Sequence, residues 1–149
     1  MPNSGGILMD WQECNNKKLV KEISIDKNLV KSLIDSSERK YKSNKKLELD
    51  EITACTKVSL IYDSIREILE AIAIQEGFKI YSHECFCSFL KEILGLEGIS
   101  REFDKFRRLR NQINYYGKNL KMNEAKILLE EMNGLRNKML DILKKHNSV

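Results

Sequence analysis

Proline occurs once in this chain, at position 2, so from residue 3 onward only glycine can readily break a helix. The longest stretch free of both residues runs from Gly6 to Gly77. Within it, from about Asp50 to Glu76, Cys55, Val58, Tyr62, Ile65, Leu69 and Ile72 recur at alternating steps of three and four. That spacing sets them on one side of a helix, and Ile61 and Ile68 widen the stripe. Lys57, Arg66, Glu67 and Glu70 are predicted to face outward. Gly77 closes the helix by taking the left-handed conformation that ends many helices.

The same reasoning divides the rest of the chain. Asp26 caps a helix whose face carries Leu29, Val30, Leu33, Ile34, Ser37 and Tyr41, and Lys42 to Lys46 reads as a polar loop. Ser82 caps a helix with Cys85, Phe86, Phe89, Leu90, Ile93 and Leu94, closed at Gly95. Ser100 caps a fourth, in which Phe103, Phe106, Leu109, Ile113 and Tyr116 are the buried side and Gly117 is the stop. The last helix, about 123–145, spaces Ala125, Leu128, Met132, Leu135, Met139 and Ile142 by three and four. Asn133-Gly134 marks a bend in it. The expectation is an all-α fold, an antiparallel bundle of about five helices with short links. An N-terminal arm over residues 1–22 precedes a helical domain over 23–149. Residues 1–6 read as a disordered lead, and residues 7–22 as a short helix or arm packed on the domain through Leu8, Trp11, Leu19 and Val20.

Several chemistries are not indicated. No apolar run approaches the roughly 20 residues of a membrane span, and no basic-then-apolar leader opens the chain, so a cytoplasmic protein is expected. Its four cysteines, Cys14, Cys55, Cys85 and Cys87, are then expected as reduced thiols. His83-Glu84-Cys85-Phe86-Cys87 has metal-ligand chemistry, but it lacks a Cys-x-x-Cys and a second ligand pair. No metal and no cofactor are expected, and no glycine-rich phosphate loop is present. Of the two histidines, His146 lies near the C-terminus. His83 reads as a polar residue in the first turn of its helix rather than as a general base, because no partner for it is identifiable in the sequence.

Charge is concentrated in one place. Residues 101–121 hold Arg101, Lys105, Arg107, Arg108, Arg110, Lys118 and Lys121 against Glu102 and Asp104 alone, and this element accounts for the whole +4 net charge of the chain. A local positive stripe points to an anionic partner. Arg107, Arg110 and Asn114 fall on one helical face, where guanidinium and amide donors can hold a phosphate, and Lys118 adds charge beyond the helix end.

Together with that run, Tyr62-Asp63-Ser64-Ile65-Arg66-Glu67-Ile68-Leu69-Glu70, Gly77-Phe78-Lys79, Ser82-His83-Glu84-Cys85 and Leu109-Arg110-Asn111 resemble the HEPN-domain family over about residues 20–145. These are small helical prokaryotic toxins, their partners and related nucleic-acid-processing proteins. The resemblance implies a HEPN-like bundle, a homodimer, RNA as target and a minimal nucleotidyltransferase as partner. It also implies a metal-independent endoribonuclease chemistry, in which a 2′-hydroxyl attacks the adjacent phosphate. The family's arginine and following polar residue match Arg110 and Asn111. Its histidine does not match, for that place is taken by Tyr115, Tyr116 and Gly117. With Tyr115 in the histidine's place, the implied catalytic set is Arg110, Asn111 and Tyr115. A tyrosine of ordinary pKa near 10 is only about 0.1% phenolate at pH 7, which makes it a poor base. Two functions follow: an RNA-directed, toxin-type or degenerate ribonuclease-like module, or a non-catalytic interaction and dimerisation module with an anion-binding face.

Overall fold

Asp10 and Asp26 each accept a hydrogen bond from the backbone three residues on, and each opens a helix. The computed structural model describes residues 8–147; the expected lead over residues 1–6 and the side chain of His146 lie outside the described residues. Helix α1 spans Trp11–Asn16, strand β1 Val20–Glu22, and helices α2 and α3 Lys27–Lys46 and Ala54–Gln75. Strand β2 (Phe78–Ile80) leads to α4 (His83–Ser88), which widens into a π-wound turn over Phe89–Ile93. Helices α5 (Glu97–Tyr116) and α6 (Met122–Asn147) complete the chain.

Helix α3 is the centre of the bundle. Its Val58, Tyr62, Ile65, Leu69 and Ile72 are fully buried, as the spacing predicts, among Phe86, Phe89, Phe103, Phe106, Met132 and Met139. Each such side chain contributes about 1.5–3 kcal/mol on leaving water. Asn44 meets Lys57 and Ser37 meets Ser64, so α2 runs antiparallel to α3. Asn114 meets Ser59 and Arg110 meets Asp63, so α5 does likewise on another side.

The architecture is mostly helical, and it departs from the sequence reading in particulars. Lys42–Lys46 is not a loop but the last turns of α2, because Asn44 is buried and donates to the Lys57 carbonyl across the hairpin. Lys57 does not face outward either: its ammonium caps the end of α2 through the carbonyls of Asn44 and Leu47. Glu67 is buried too, paired with Lys40 at 2.7 Å. Helix α5 begins at Glu97, three residues before the expected cap. Ser100 lies within it, buried, and donates to the Cys87 carbonyl. Tyr116 is 59% exposed rather than buried.

Two features of the arm had no counterpart in the reading. Strand β1 pairs antiparallel with β2 in the register Val20↔Ile80. Gly77 makes the pairing possible: it sits at φ +89°, and its carbonyl accepts from Ile23, just past the end of β1 and just before β2. Cys14 and Cys85 are joined in a disulfide, so the expectation of four reduced thiols holds only for Cys55 and Cys87. The bond clamps α1 onto α4. Met9 and Trp11 reinforce it through backbone hydrogen bonds to Glu84 and Glu92, and Ser88 donates to the Met9 carbonyl. No helix among the described residues is long and apolar enough to cross a membrane.

Candidate anion-binding site

Helices α3, α4 and α5 converge around Tyr62. The tyrosine ring is fully buried and stacks on Phe103 at 5.5 Å between centroids. Its hydroxyl emerges at the edge of the core, 3.1 Å from His83 Nδ1. From α5, the Arg110 guanidinium lies over the same ring, 5.6 Å from its centroid. One phenol therefore touches the imidazole with its oxygen and the guanidinium with its face. His83 also packs on the edge of Phe86, and its Nε2 makes no hydrogen bond within the described chain.

Three arginines surround this pair, and their pairing distinguishes them. Arg66 is bound to Glu70 at 3.0 Å, and Lys79 takes the other oxygen of the same carboxylate at 2.7 Å. Arg107 donates twice to Asp104 Oδ1, at 2.9 and 2.7 Å, and Arg108 meets Asp104 Oδ2 at 2.8 Å. Burial works against the Arg107 charge, but Asp104 outweighs it and holds the guanidinium firmly protonated. Arg110 is different. Its nearest carboxylate, Asp63, is 3.8 Å away, beyond hydrogen-bonding distance, and its Nε is buried with no acceptor. A buried donor without a partner costs about 1–3 kcal/mol.

The surroundings fix the protonation states. Burial, followed by the fields of Arg66, Arg110 and Arg107, pushes His83 down to about 4, with Glu70 opposing. The imidazole is therefore neutral at neutral pH. Burial drives Tyr62 well above the ordinary phenol value, with Arg110 opposing, so it remains a protonated phenol. Cys87 is pushed up to about 12, by burial first and by Asp104 next, and its thiol donates weakly to that carboxylate at 3.7 Å. Cys87 is thus an inert thiol, and Cys85 beside it is tied in the disulfide.

The residues singled out from the sequence are spread along α5 and past its end. Arg107 and Arg110 belong to the Tyr62 cluster. Asn114 lies one turn further along, in a shallow groove with Ser59, Asp63 and Ile113, and accepts from the Ser59 hydroxyl at 3.3 Å. Lys118 lines a different groove of about 600 Å³ between α5 and α6, with Arg101, Lys105 and Arg108. Asn111 is half-buried on α5. Tyr115 is 69% exposed near the C-terminal end of α5 and makes none of the contacts of the Tyr62 cluster. The side chains missing from the sequence-based set are Tyr62, Arg66 and His83. His83 lacked only a visible partner, and that partner lies 21 residues away on another helix.

No family model, curated protein or solved structure matches this chain. The chemistry of the site rests on its own geometry.

Proposed function

We propose that this protein is an RNA-directed module of HEPN-like type, which holds an RNA phosphate at Arg110. The observation that carries this reading is that the Arg110 guanidinium, partly exposed on the most basic element of the chain, has no carboxylate within hydrogen-bonding distance. A phosphodiester presents two oxygens to a guanidinium edge and matches it with two hydrogen bonds. Arg66, Arg107 and Arg108 are already engaged by carboxylates and supply field more than contacts. The rings of Tyr115 and Tyr116, exposed at the C-terminal end of the same helix, are available to stack on bases. In this reading the module acts as a homodimer beside a minimal nucleotidyltransferase, as the family resemblance implies.

The test is RNA binding by the full chain. Arg110→Ala is expected to weaken affinity for single-stranded RNA about tenfold or more, from loss of a charged hydrogen-bonding group. Lys91→Ala, an exposed lysine of the π-wound turn, is expected to leave affinity unchanged. Equal effects of the two substitutions would remove the site.

The paired exposure of Tyr115 and Tyr116, 69% and 59%, also favours a second reading, in which the end of α5 docks a protein partner and no RNA is bound. Retained RNA affinity in Arg110→Ala, with partner binding lost on changing both tyrosines, is the outcome that selects it.

A further inference from the structure

The arm over residues 8–22 meets the bundle through one covalent bond and few buried groups. Only Cys14 and Val20 in it are buried, while Lys17, Lys18, Lys21 and Glu22 are exposed. We infer that Cys14–Cys85 is a redox latch. With the bond formed, the arm is held on α4; a dithiol reductant releases it while the bundle of α2 to α6 stays folded, and the release uncovers the Cys87 thiol. None of this depends on RNA being bound at Arg110.

The non-covalent hold on the arm is weak. Helix α1 has six residues, well short of the roughly 12–15 at which an isolated helix is even marginal in water. Its large apolar anchor, Trp11, sets its ring edge-on to Phe78 at 5.2 Å and near Phe89 at 6.0 Å, yet remains partly exposed. The β1–β2 ladder is three residue pairs long, too short to hold by itself. Between α1 and β1 the chain passes through Lys18 at φ +59°, a left-handed conformation that disfavours a residue with a side chain and relaxes on release. Ser24 and Ile25, both exposed, join the arm to the Asp26 cap of α2, so the arm can swing without unwinding a helix. Bond and docking therefore support each other: docked contacts hold the two sulfurs together, and the bond keeps the contacts within reach.

The chemistry is thiol–disulfide exchange. One thiolate of the dithiol attacks a sulfur of the bond, forms a mixed disulfide and expels the other cysteine as a thiolate. The second thiolate of the reductant then attacks the mixed disulfide, closing its own disulfide and freeing the remaining cysteine. Two electrons pass from the dithiol to the protein, and the two protons of its thiols end on Cys14 and Cys85. Both cysteines are fully buried, so the reductant reaches them as the arm opens. An oxidised dithiol runs the same steps backward and refastens the arm.

Release has a chemical consequence at Cys87. Leu8, Met9 and Asp10 of the arm share the lining of a cavity of about 260 Å³ with Cys87, Ser88 and Ser100 of the bundle. Ser88 also donates to the Met9 carbonyl, which ties the arm over that cavity. Swinging the arm away opens the cavity and takes away part of the burial that keeps the Cys87 thiol inert. The latch thus turns one accessible thiol, Cys55, into several.

Trp11 is the chain's one tryptophan, so its fluorescence reports the arm alone. The experiment follows that emission in the full chain while dithiothreitol and its oxidised form set the redox state, with reduction confirmed by mass. Reduction is expected to shift the emission to the red, reversibly, with the far-UV helical signal almost unchanged. Trypsin is expected to cut at Lys17, Lys18 or Lys21 about tenfold faster or more in the reduced protein. Native maleimide labelling is expected to mark Cys55 alone when oxidised and Cys87 as well when reduced. Cys14→Ala with Cys85→Ala is expected to give the released emission in either buffer; if that variant does not fold, reduced wild type carries the test. Reduced protein with unchanged emission and an unlabelled Cys87 overturns the inference. Loss of the helical signal together with arm release also overturns it, for the bond would then be a staple of the whole fold.

Discussion

The Tyr62 hydroxyl and His83 Nδ1 stand 3.1 Å apart, a hydrogen bond between the central helix and the first turn of α4, and the imidazole it holds is half-buried. That burial has a consequence for stability as well as for chemistry. The folded-state pKa is about 4, below the ordinary 6.5. Between these values the unfolded chain binds a proton that the folded chain does not, so stability rises with pH across the window and falls as the solution is acidified through it. Urea unfolding at pH 4.5, 5.5 and 7.5 is expected to show this slope, and His83→Gln to flatten it. An unchanged slope in the variant would mean that another group is responsible.

Asp104 holds two arginines at once, Arg107 through one oxygen and Arg108 through the other. Asp104→Asn weakens both pairs and leaves their charge available. The protein is expected to lose about 2 kcal/mol of stability and yet bind RNA a few-fold more tightly at low salt. Chemical denaturation and a salt titration of RNA affinity measure the two effects, and weaker RNA binding in a folded variant would contradict the electrostatic picture.

Arg136 is 4% exposed on α6 and reaches across the bundle. Its Nε donates to Ser64 Oγ at 2.9 Å, its Nη2 to Glu38 at 2.8 Å, and its guanidinium lies 4.0 Å from the centre of the Tyr41 ring. One side chain thus ties α2, α3 and α6. Arg136→Ala is expected to destabilise by about 3 kcal/mol, because it strips a buried polar cluster of its donor. A loss under about 1 kcal/mol in urea unfolding would show that the cluster relaxes without it.

The Cys14–Cys85 bond closes a loop with a sequence separation of 71. Constraint of the unfolded chain by a loop of that size stabilises by about 4 kcal/mol in the chain-entropy picture. Cys14→Ala with Cys85→Ala is expected to lower the unfolding midpoint accordingly and to become insensitive to dithiothreitol. Wild-type protein whose midpoint does not respond to the reductant would show that the bond does not contribute.

Much of the fold was legible because helical periodicity is written between neighbours in the chain. The α3 stripe from Val58 to Ile72, the Asp26 cap and the stops at Gly77 and Gly117 all follow from residues within a few positions of one another. The readings of Lys57 and Glu67 failed for the opposite reason. Each is charged and looked solvated by its local pattern, and each is buried because α2 supplies a partner for it. The same limit governed the site. Arg110 stood out by local charge, whereas His83 had no meaning until Tyr62 was placed against it.

By itself the sequence determined where the main helices lie, where several of them stop, and that α5 is the basic element. Only the tertiary structure decided that the arm is pinned to α4 by a disulfide, that Asp104 and Glu70 occupy the other arginines, and that Arg110 retains a donor with no acceptor. The physical reason is range. Helix formation and capping act within about one turn of chain, while the state of a charge or an imidazole is set by whichever groups packing brings within a few ångströms, however distant they are in sequence.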